Sequence, residues 1–323
     1  MRNPSVIVLA EGTEPRLSML DELRTSVEFA IGDSLDSFKG AAAAAEVIFN
    51  WSGSLALFRD VFLKCPRLRW VHSRSVGLER TLFPELVAGN VTLTNGTGVF
   101  SASLGEFAVA AILYFAKDFR RMIRNQMAGA WEIFDVEMVS GTTLGVVGFG
   151  DIGRAAASRA RALGMKVLGV KRSVSAADKP DPLVERMYAT AELKQVLPLC
   201  DYVLVATPLT AETRGLLGQA ELDTMKKTAV IINVGRGPVI DETALIRALS
   251  ERRIRGAALD VFDEEPLPAN HPFYKLENVL LSPHCADHTP DWLDNSMRLF
   301  IEQLKRFLRG EPLLNIVDKE LGY

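Results

Sequence analysis

The sequence predicts an α/β protein made of two doubly wound parallel-sheet domains. Three observations lead there. Short apolar runs of strand length alternate with helical or loop segments through residues 1–97, and again from Gly141 onward. Such alternation marks parallel sheets with crossover connections. A strand–turn–helix–strand unit at residues 143–173 carries glycines at 148, 150 and 153. At 323 residues the chain is long enough for two domains.

In the first half, strands are expected at residues 5–9, 27–31, 47–49, 68–72 and 91–94. The five alanines at 41–45 are expected as the end of a helix that leads into the third strand. A single long helix is expected over residues 103–124. Ser103 and Glu106 have the spacing of a capping box. Leu104, Phe107, Ala108, Ala111, Ile112 and Phe115 supply its apolar stripe. Residues 126–141, with Trp131 and mixed charges, are expected as a surface excursion. Trp51, Trp70 and Trp292 are read as packing residues first and as substrate walls second.

In the second half, strands are expected at 144–147, 166–170, 202–206, 229–233, 257–260 and 279–281. The glycines follow the first of these as G-x-G-x-x-G. A helix starts at once, with Ile152, Ala155, Ala156, Ala160 and Leu163 on one face and Gly164 at its stop. Alone, the glycine spacing is a weak signal that equally fits a tight loop. Between a buried strand and a helix it is a dinucleotide fingerprint. The first glycine permits the turn, the second admits a pyrophosphate, and the third lets helix and strand approach. Residues 173–183 are expected as loop, and Asp241 as the N-cap of a helix bearing Leu245, Ala248 and Leu249. A last helix is expected from Pro290 or Asp291, with Leu293, Met297, Phe300, Leu304 and Phe307 on one face and Gly310 after it.

Composition narrows the function. The net charge of −3 gives no reason to expect nucleic acid or an anionic membrane as partner. No apolar run approaches the ~20 residues of a membrane span. The N-terminal apolar run is too short for a signal-peptide core. Cys65, Cys200 and Cys285 form neither a disulfide framework nor a metal-ligand spacing. The expectation is a soluble cytoplasmic protein without a metal, acting on a small molecule.

Three polar residues follow the carboxyl ends of strands, where open α/β sheets bind ligands. They are Arg236 in INVGRG, Glu265 in LDVFDEEPLP and His284 in LLSPHCAD. Each has a bland explanation: a solvated arginine between glycines, an acidic surface run, a histidine fixed by the proline before it. Their joint occurrence after successive strands favours chemistry. A guanidinium can bind a carboxylate or polarise a carbonyl. A histidine can exchange the proton of a hydroxyl. A carboxylate beside it can hold the imidazolium. Cys285, next to His284, is read as a small filler residue.

The stretches VVGFGDIG, DYVLVATPLTAETRGLL, MKKTAVIINVGRGPVIDETALIRAL, GAALDVFDEEPLPANHPFY and NVLLSPHCAD resemble the D-isomer-specific 2-hydroxyacid dehydrogenase family. The resemblance covers nearly the whole chain. It implies a Rossmann cofactor domain, residues 98–290, inserted into a flavodoxin-like substrate domain, residues 1–97 and 291–323, with the active site in the cleft between them. It implies hydride transfer between NAD(P)H and a small 2-keto acid or D-2-hydroxy acid, of the glyoxylate or hydroxypyruvate type, and a homodimer. It implies Arg236, Glu265 and His284 as the catalytic set, and Ser75, Val76 and Gly77, with Arg236 and His284, as substrate contacts. For the cofactor it implies Gly148, Phe149, Gly150, Asp151, Ile152, Gly153, Thr207, Pro208, Thr213, Val234, Gly235 and Asp260. Asn95 and Glu106 also match recurring family positions, without an assigned role. The same fold and triad occur in dinucleotide-sensing corepressors, and related dehydrogenases act on unusual substrates such as phosphite; both are alternatives.

One departure concerns the cofactor. NAD-preferring members place an acidic residue at the end of the second strand of the fingerprint unit. Here Lys171, Arg172 and Ser173 occupy that place. NADP is therefore the preferred cofactor on this reading, with NAD also accepted.

Overall fold

The computed structural model describes residues 3–175 and 179–323; residues 176–178, within the stretch expected as loop, lie outside the described residues. The chain divides into two compact units, Met1–Val99 with Thr289–Tyr323, and Phe100–His288.

The first unit has strands β1 (Ser5–Leu9), β2 (Glu28–Gly32), β3 (Ala45–Asn50), β4 (Trp70–Ser73) and β5 (Thr92–Thr94), all parallel, in the order β2-β1-β3-β4-β5. This is the flavodoxin-like order, whose switch point lies between β1 and β3. Side chains alternate along each strand, so the two faces build two cores. Ile7, Leu9, Ile48, Val71 and Leu93 pack with helices α1 (Leu55–Phe62) and α2 (Pro84–Ala88) through Phe58, Val61 and Leu86. Val6, Val8, Phe49 and Trp70 pack with Met297, Phe300 and Leu304 of the C-terminal helix, Trp292–Arg309. That helix ends on Gly310 in the left-handed conformation, as expected.

The alanines at 41–45 end no helix. Ala41 and Ala42 both donate to Phe38 O, and Ala44 and Ala45 both to Ala41 O, so the run closes successive turns after a short 3-10 segment, Leu35–Phe38. Ala45 is then drawn into β3, opposite Ser5 and fully buried.

The second unit has α3 (Ser101–Ala116), α4 (Phe119–Met127), β6 (Thr143–Val147), α5 (Asp151–Ala162), β7 (Lys166–Lys171), β8 (Arg186–Ala189), α6 (Leu193–Val196), β9 (Tyr202–Val205), α7 (Gln219–Leu222), β10 (Val230–Asn233), α8 (Glu242–Ser250), β11 (Gly256–Leu259) and β12 (Val279–Leu281). The parallel sheet runs β12-β11-β10-β9-β6-β7-β8, the Rossmann order extended by one strand, with its switch point between β6 and β9. β8 is not among the expected strands. It is a four-residue edge strand that opens on an exposed arginine, so it lacks the apolar run that marks the others.

The long helix expected over 103–124 is two helices. Asp118 takes a left-handed φ of 50° and its side chain caps α4 by accepting from Arg121 N. The capping box is absent too. The helix begins at Ser101, Ser103 Oγ donates to Ala286 O at 2.6 Å, and Glu106 pairs with Arg159 of α5 at 3.3 Å. Tertiary partners outbid the local cap because α3 lies tightly on α5. A Cβ on Gly105 would stand 3.0 Å from the backbone of Ala155. The stretch after α4 is a surface excursion, with Trp131 97% and Ile133 90% exposed.

Candidate active site

Two loops flank the switch point of the seven-stranded sheet, one after β6 and one after β9. Gly148 follows β6 with φ 96°, and a Cβ there would lie 2.7 Å from the backbone of Ala206 and Thr207. Only glycine lets these loops approach so closely. A Cβ on Gly153 would lie 2.5 Å from Gly148 O, whereas one on Gly150 meets nothing within 4 Å. The open side at Gly150 is where α5 begins, and the first N–H groups of a helix have no intrahelical acceptor. Thr207 Oγ1 is buried without a hydrogen-bond partner. A glycine cradle open toward a helix start, with an orphaned hydroxyl beside it, suits a dinucleotide pyrophosphate.

The other residues expected around a cofactor are distributed as follows. Phe149 N donates to Val170 O at 3.2 Å, and Ile152 is half-buried in the first turn of α5. Asp151 accepts a hydrogen bond from Ser101 Oγ. Thr213 Oγ1 donates to Pro208 O at 2.6 Å and accepts from Thr210 N at 2.8 Å, so this hydroxyl closes its own loop. Val234 N donates to Val205 O at 3.0 Å, and a Cβ on Gly235 would lie 2.6 Å from Thr207 O. Lys171 ends β7, and Arg172 and Ser173 follow it on the surface.

Beyond β10, β11 and β12 lie the three polar candidates. His284 Nδ1 and Glu265 Oε2 are 2.7 Å apart, and Glu265 Oε1 accepts from Phe262 N at 3.0 Å. One carboxylate oxygen thus fixes the glutamate to its own loop while the other orients the imidazole. Nδ1 is committed, which leaves Nε2 to face a ligand. Arg236 lies in extended backbone, with Nη1 donating to Gly235 O at 2.7 Å and its carbonyl accepting from Asn233 Nδ2 at 3.1 Å. Next to it, a Cβ on Gly237 would lie 2.0 Å from the carbonyl carbon of Phe262. The arginine loop therefore packs directly on the glutamate loop.

His284 has a φ of 52°, a left-handed conformation costly for a residue with a Cβ, on the order of 1–2 kcal/mol. The strain is held by Asp260, only 1% exposed. Its Oδ1 accepts from Ser282 Oγ at 2.6 Å, Cys285 N at 3.0 Å and Ala286 N at 3.1 Å. Burial pushes the Asp260 carboxyl above its usual range, against the pull of these bonds. Oδ2 accepts from no described residue. Ser103 adds a fourth anchor to the histidine loop through Ala286 O. Asp260 thus positions His284 as well as presenting an oxygen of its own. Neither Ser282 nor Ser103 is legible as a site residue: a serine that holds a loop through one tertiary bond leaves no periodic or spacing signal.

The first unit, taken by itself, carries the remaining candidates. Ser75, Val76 and Gly77 follow β4, and their three N–H groups donate to no described residue. Their carbonyls, by contrast, are tied back: Gly96 N donates to Ser75 O at 3.3 Å and Asn95 Nδ2 to Val76 O at 3.2 Å. Asn95 is anchored in turn, its Oδ1 accepting from Thr97 Oγ1 at 2.7 Å. Successive N–H groups without an intramolecular acceptor can form an anion-binding concavity. Asn95, whose role the sequence leaves open, ties down the loop that carries them.

Among the described residues, no cluster of His, Cys, Asp and Glu could hold a metal ion, and no helix is long and apolar enough to cross a membrane.

Residues 109–286 match the family of D-isomer specific 2-hydroxyacid dehydrogenases through its NAD binding domain. A glyoxylate reductase of Thermofilum pendens is 33% identical over 334 residues, covering 99% of this chain and 96% of its own. The structure of a D-isomer specific 2-hydroxyacid dehydrogenase from Xanthobacter autotrophicus Py2, in complex with NADPH and MES, matches at a TM-score of 0.85, with 29% identity and 100% of both chains covered. That of an NADPH-dependent glyoxylate/hydroxypyruvate reductase from Sinorhizobium meliloti, in complex with NADP and sulfate, matches at 0.83, with 25% identity and again 100% of both chains.

Proposed function

Because the chain belongs to the D-isomer specific 2-hydroxyacid dehydrogenase family, we propose that it is an NAD(P)-dependent oxidoreductase that interconverts small 2-keto acids and D-2-hydroxy acids. Glyoxylate and hydroxypyruvate are the first substrates to test. The observation that carries this reading is the Glu265–His284 contact of 2.7 Å, anchored on Asp260 beyond β11 and β12. A bound nicotinamide supplies or accepts the hydride. The chain's own residues do the rest. The N–H groups of Ser75, Val76 and Gly77 receive the substrate carboxylate. Arg236 polarises the keto oxygen or shares the carboxylate. His284 gives its Nε2 proton to the oxygen as the hydroxyl forms, and Glu265 stabilises and orients the ring throughout. The unit Phe100–His288 is the cofactor domain and the other unit the substrate domain. A panel of 2-keto acids assayed with NADPH and NADH tests the reading; turnover of none would leave a dinucleotide-sensing scaffold as the better account.

Within that reading we propose a preference for NADP. Lys171 and Arg172 close β7 where an NAD-binding carboxylate would sit, and a guanidinium can grip a 2′-phosphate with two parallel hydrogen bonds. We further propose a homodimer. Met127, Trp131, Ile133 and Met138 are all more than 70% exposed, at 85%, 97%, 90% and 72%, on one contiguous stretch, and clustered exposed apolar groups mark interaction surfaces. A second copy is the occupant; light scattering of wild type and Trp131→Asp checks it. A cytoplasmic setting suits the free, exposed thiol of Cys285.

A further inference from the structure

The carboxyl end of the five-stranded sheet holds a second polar assembly that the chemistry above does not use. Glu14, Trp51 and Arg74 lie on the loops that follow β1, β3 and β4. β1 and β3 flank the switch point of this sheet, the usual ligand crevice of an open α/β fold. Trp51, 4% exposed, bridges it by donating Nε1 to Glu14 Oε2 at 3.3 Å. The other oxygen of Glu14 is taken by the backbone N and guanidinium of Arg16, which also pairs with Asp294 at 3.1 Å. Arg74 lies against two indoles, with its guanidinium carbon 4.8 Å from the Trp51 ring and 5.3 Å from the Trp292 ring.

Stacking holds a guanidinium by its faces and leaves its rim of N–H donors unspent. No described residue accepts a hydrogen bond from the Arg74 side chain. Burial depresses its pKa, and Glu14 opposes this through space without a bond. A flat, pre-positioned, partly desolvated cation with an unspent rim is the form in which proteins take up a planar carboxylate. A purely structural arginine in such a place would be expected to satisfy some of its donors on the chain.

We propose that Arg74 is a specificity residue that binds the second carboxylate of a 2-keto dicarboxylic acid, and this rests on the reading of Ser75, Val76 and Gly77 as the seat of the first. Arg74 directly precedes that loop. Two residues of extended chain span at most roughly 7 Å, and the arginine side chain can fold back over part of that distance. The two carboxylate carbons of oxaloacetate are three C–C bonds apart, about 4 Å at full extension, which lies within that reach once the side chain folds back. The structure thus favours substrates with an anion at each end over monocarboxylates of the same length.

The test compares oxaloacetate with 2-oxobutyrate, two four-carbon 2-keto acids that differ in the second carboxylate, using NADPH and wild type, Arg74→Gln and Arg74→Lys. Wild type should favour oxaloacetate at least tenfold in kcat/KM, mainly through KM. Arg74→Gln should lower that ratio about 10- to 100-fold, the range of a lost charge-assisted pair. Arg74→Lys, which keeps the charge but not the fork, should fall between. The ratio is taken on one preparation, so poorer folding of a variant lowers both rates and leaves it unchanged. A wild-type preference for 2-oxobutyrate, or a ratio unmoved in both variants, would overturn the inference while the dehydrogenase reading stands. Reduction of no keto acid at all would overturn both.

Discussion

At Asp260 a single carboxylate oxygen does the work of a small scaffold. It accepts from Ser282 Oγ, Cys285 N and Ala286 N and so keeps His284 in a left-handed conformation. Asp260→Asn keeps an oxygen for all three donors and removes a buried charge. It should hold the melting temperature of the wild type, and relative to wild type it should gain stability as pH rises through the raised Asp260 pKa. The sign follows from that raised pKa: the carboxyl favours the folded state when protonated, and the advantage is lost as it ionises. Asp260→Ala strands the three donors, each worth about 1–3 kcal/mol when buried. It should lower the melting temperature and reduce kcat at least tenfold. Equal melting curves for the two variants would show that the anchoring bonds contribute nothing. If the proposed NADP preference holds, Lys171→Asp combined with Arg172→Ala should bring kcat/KM with NADH to parity with NADPH or beyond; a wild type that already prefers NADH would contradict the assignment of these cations. At this scale the sequence singles out polar residues in the loops that follow apolar strands, as Arg236 does after β10, Glu265 after β11 and His284 after β12. The anchors are not legible, because Asp260–Ser282 and Ser103–Ala286 are bonds made only once distant segments have met.

Among the elements, the turn after β6 separates a glycine that the fold requires from one whose side is open, which the proposed function assigns to the pyrophosphate. Gly148 has φ 96° and an added Cβ would strike backbone at 2.7 Å, so Gly148→Ala should destabilise the protein by a few kcal/mol. Gly150 has φ −88° and open space around its Cβ position. Gly150→Ala should therefore melt within a few degrees of wild type yet weaken NADPH binding at least tenfold, since a methyl group would meet the pyrophosphate. A fluorescence titration beside each melting curve checks the pair; unaltered NADPH affinity in Gly150→Ala would mean that the pyrophosphate lies elsewhere. Element type was legible through periodicity, and the strand–turn–helix unit through its glycines. Element ends were less so. Nothing local tells that Asp118 turns left-handed and splits one helical stripe into α3 and α4. The S-x-x-E spacing at Ser103 was misleading because both side chains found partners on other elements.

Across the whole molecule, the two sheets follow from alternation of apolar runs; the order of the seven-stranded sheet puts its switch point at the glycine loop after β6, whereas the switch point of the five-stranded sheet lies between β1 and β3, and the Ser75–Gly77 loop follows the neighbouring β4. What alternation could not supply is the cost hidden in a core. His72 sits among Phe49, Trp70 and Phe300, bonded to Thr94 Oγ1 at 2.7 Å through Nδ1, with Nε2 unpartnered. Burial pushes its imidazole from about 6.5 down to about 3. The unfolded chain therefore takes up a proton between those values that the folded chain refuses. The contribution is whole above about 6.5 and falls by about 1.4 kcal/mol per pH unit on acidification, until the folded form also protonates near 3. Denaturant unfolding at pH 7 and pH 4.5 should reveal a loss of roughly 2–3 kcal/mol from this source. His72→Phe, which suits the aromatic surroundings, should remove that part of the acid sensitivity; an acid limb identical to wild type would mean that another group governs it.

In the proposed reaction His284 is the proton donor and acceptor for a keto acid. Its most direct test is kcat for reduction of glyoxylate and hydroxypyruvate by NADPH in wild type and His284→Ala, with NADPH affinity measured on the same samples. Wild type should turn over, and the variant should lose about 10²–10⁴ in kcat, the usual worth of a general acid, while binding NADPH nearly as before. Undiminished turnover in His284→Ala would contradict the account.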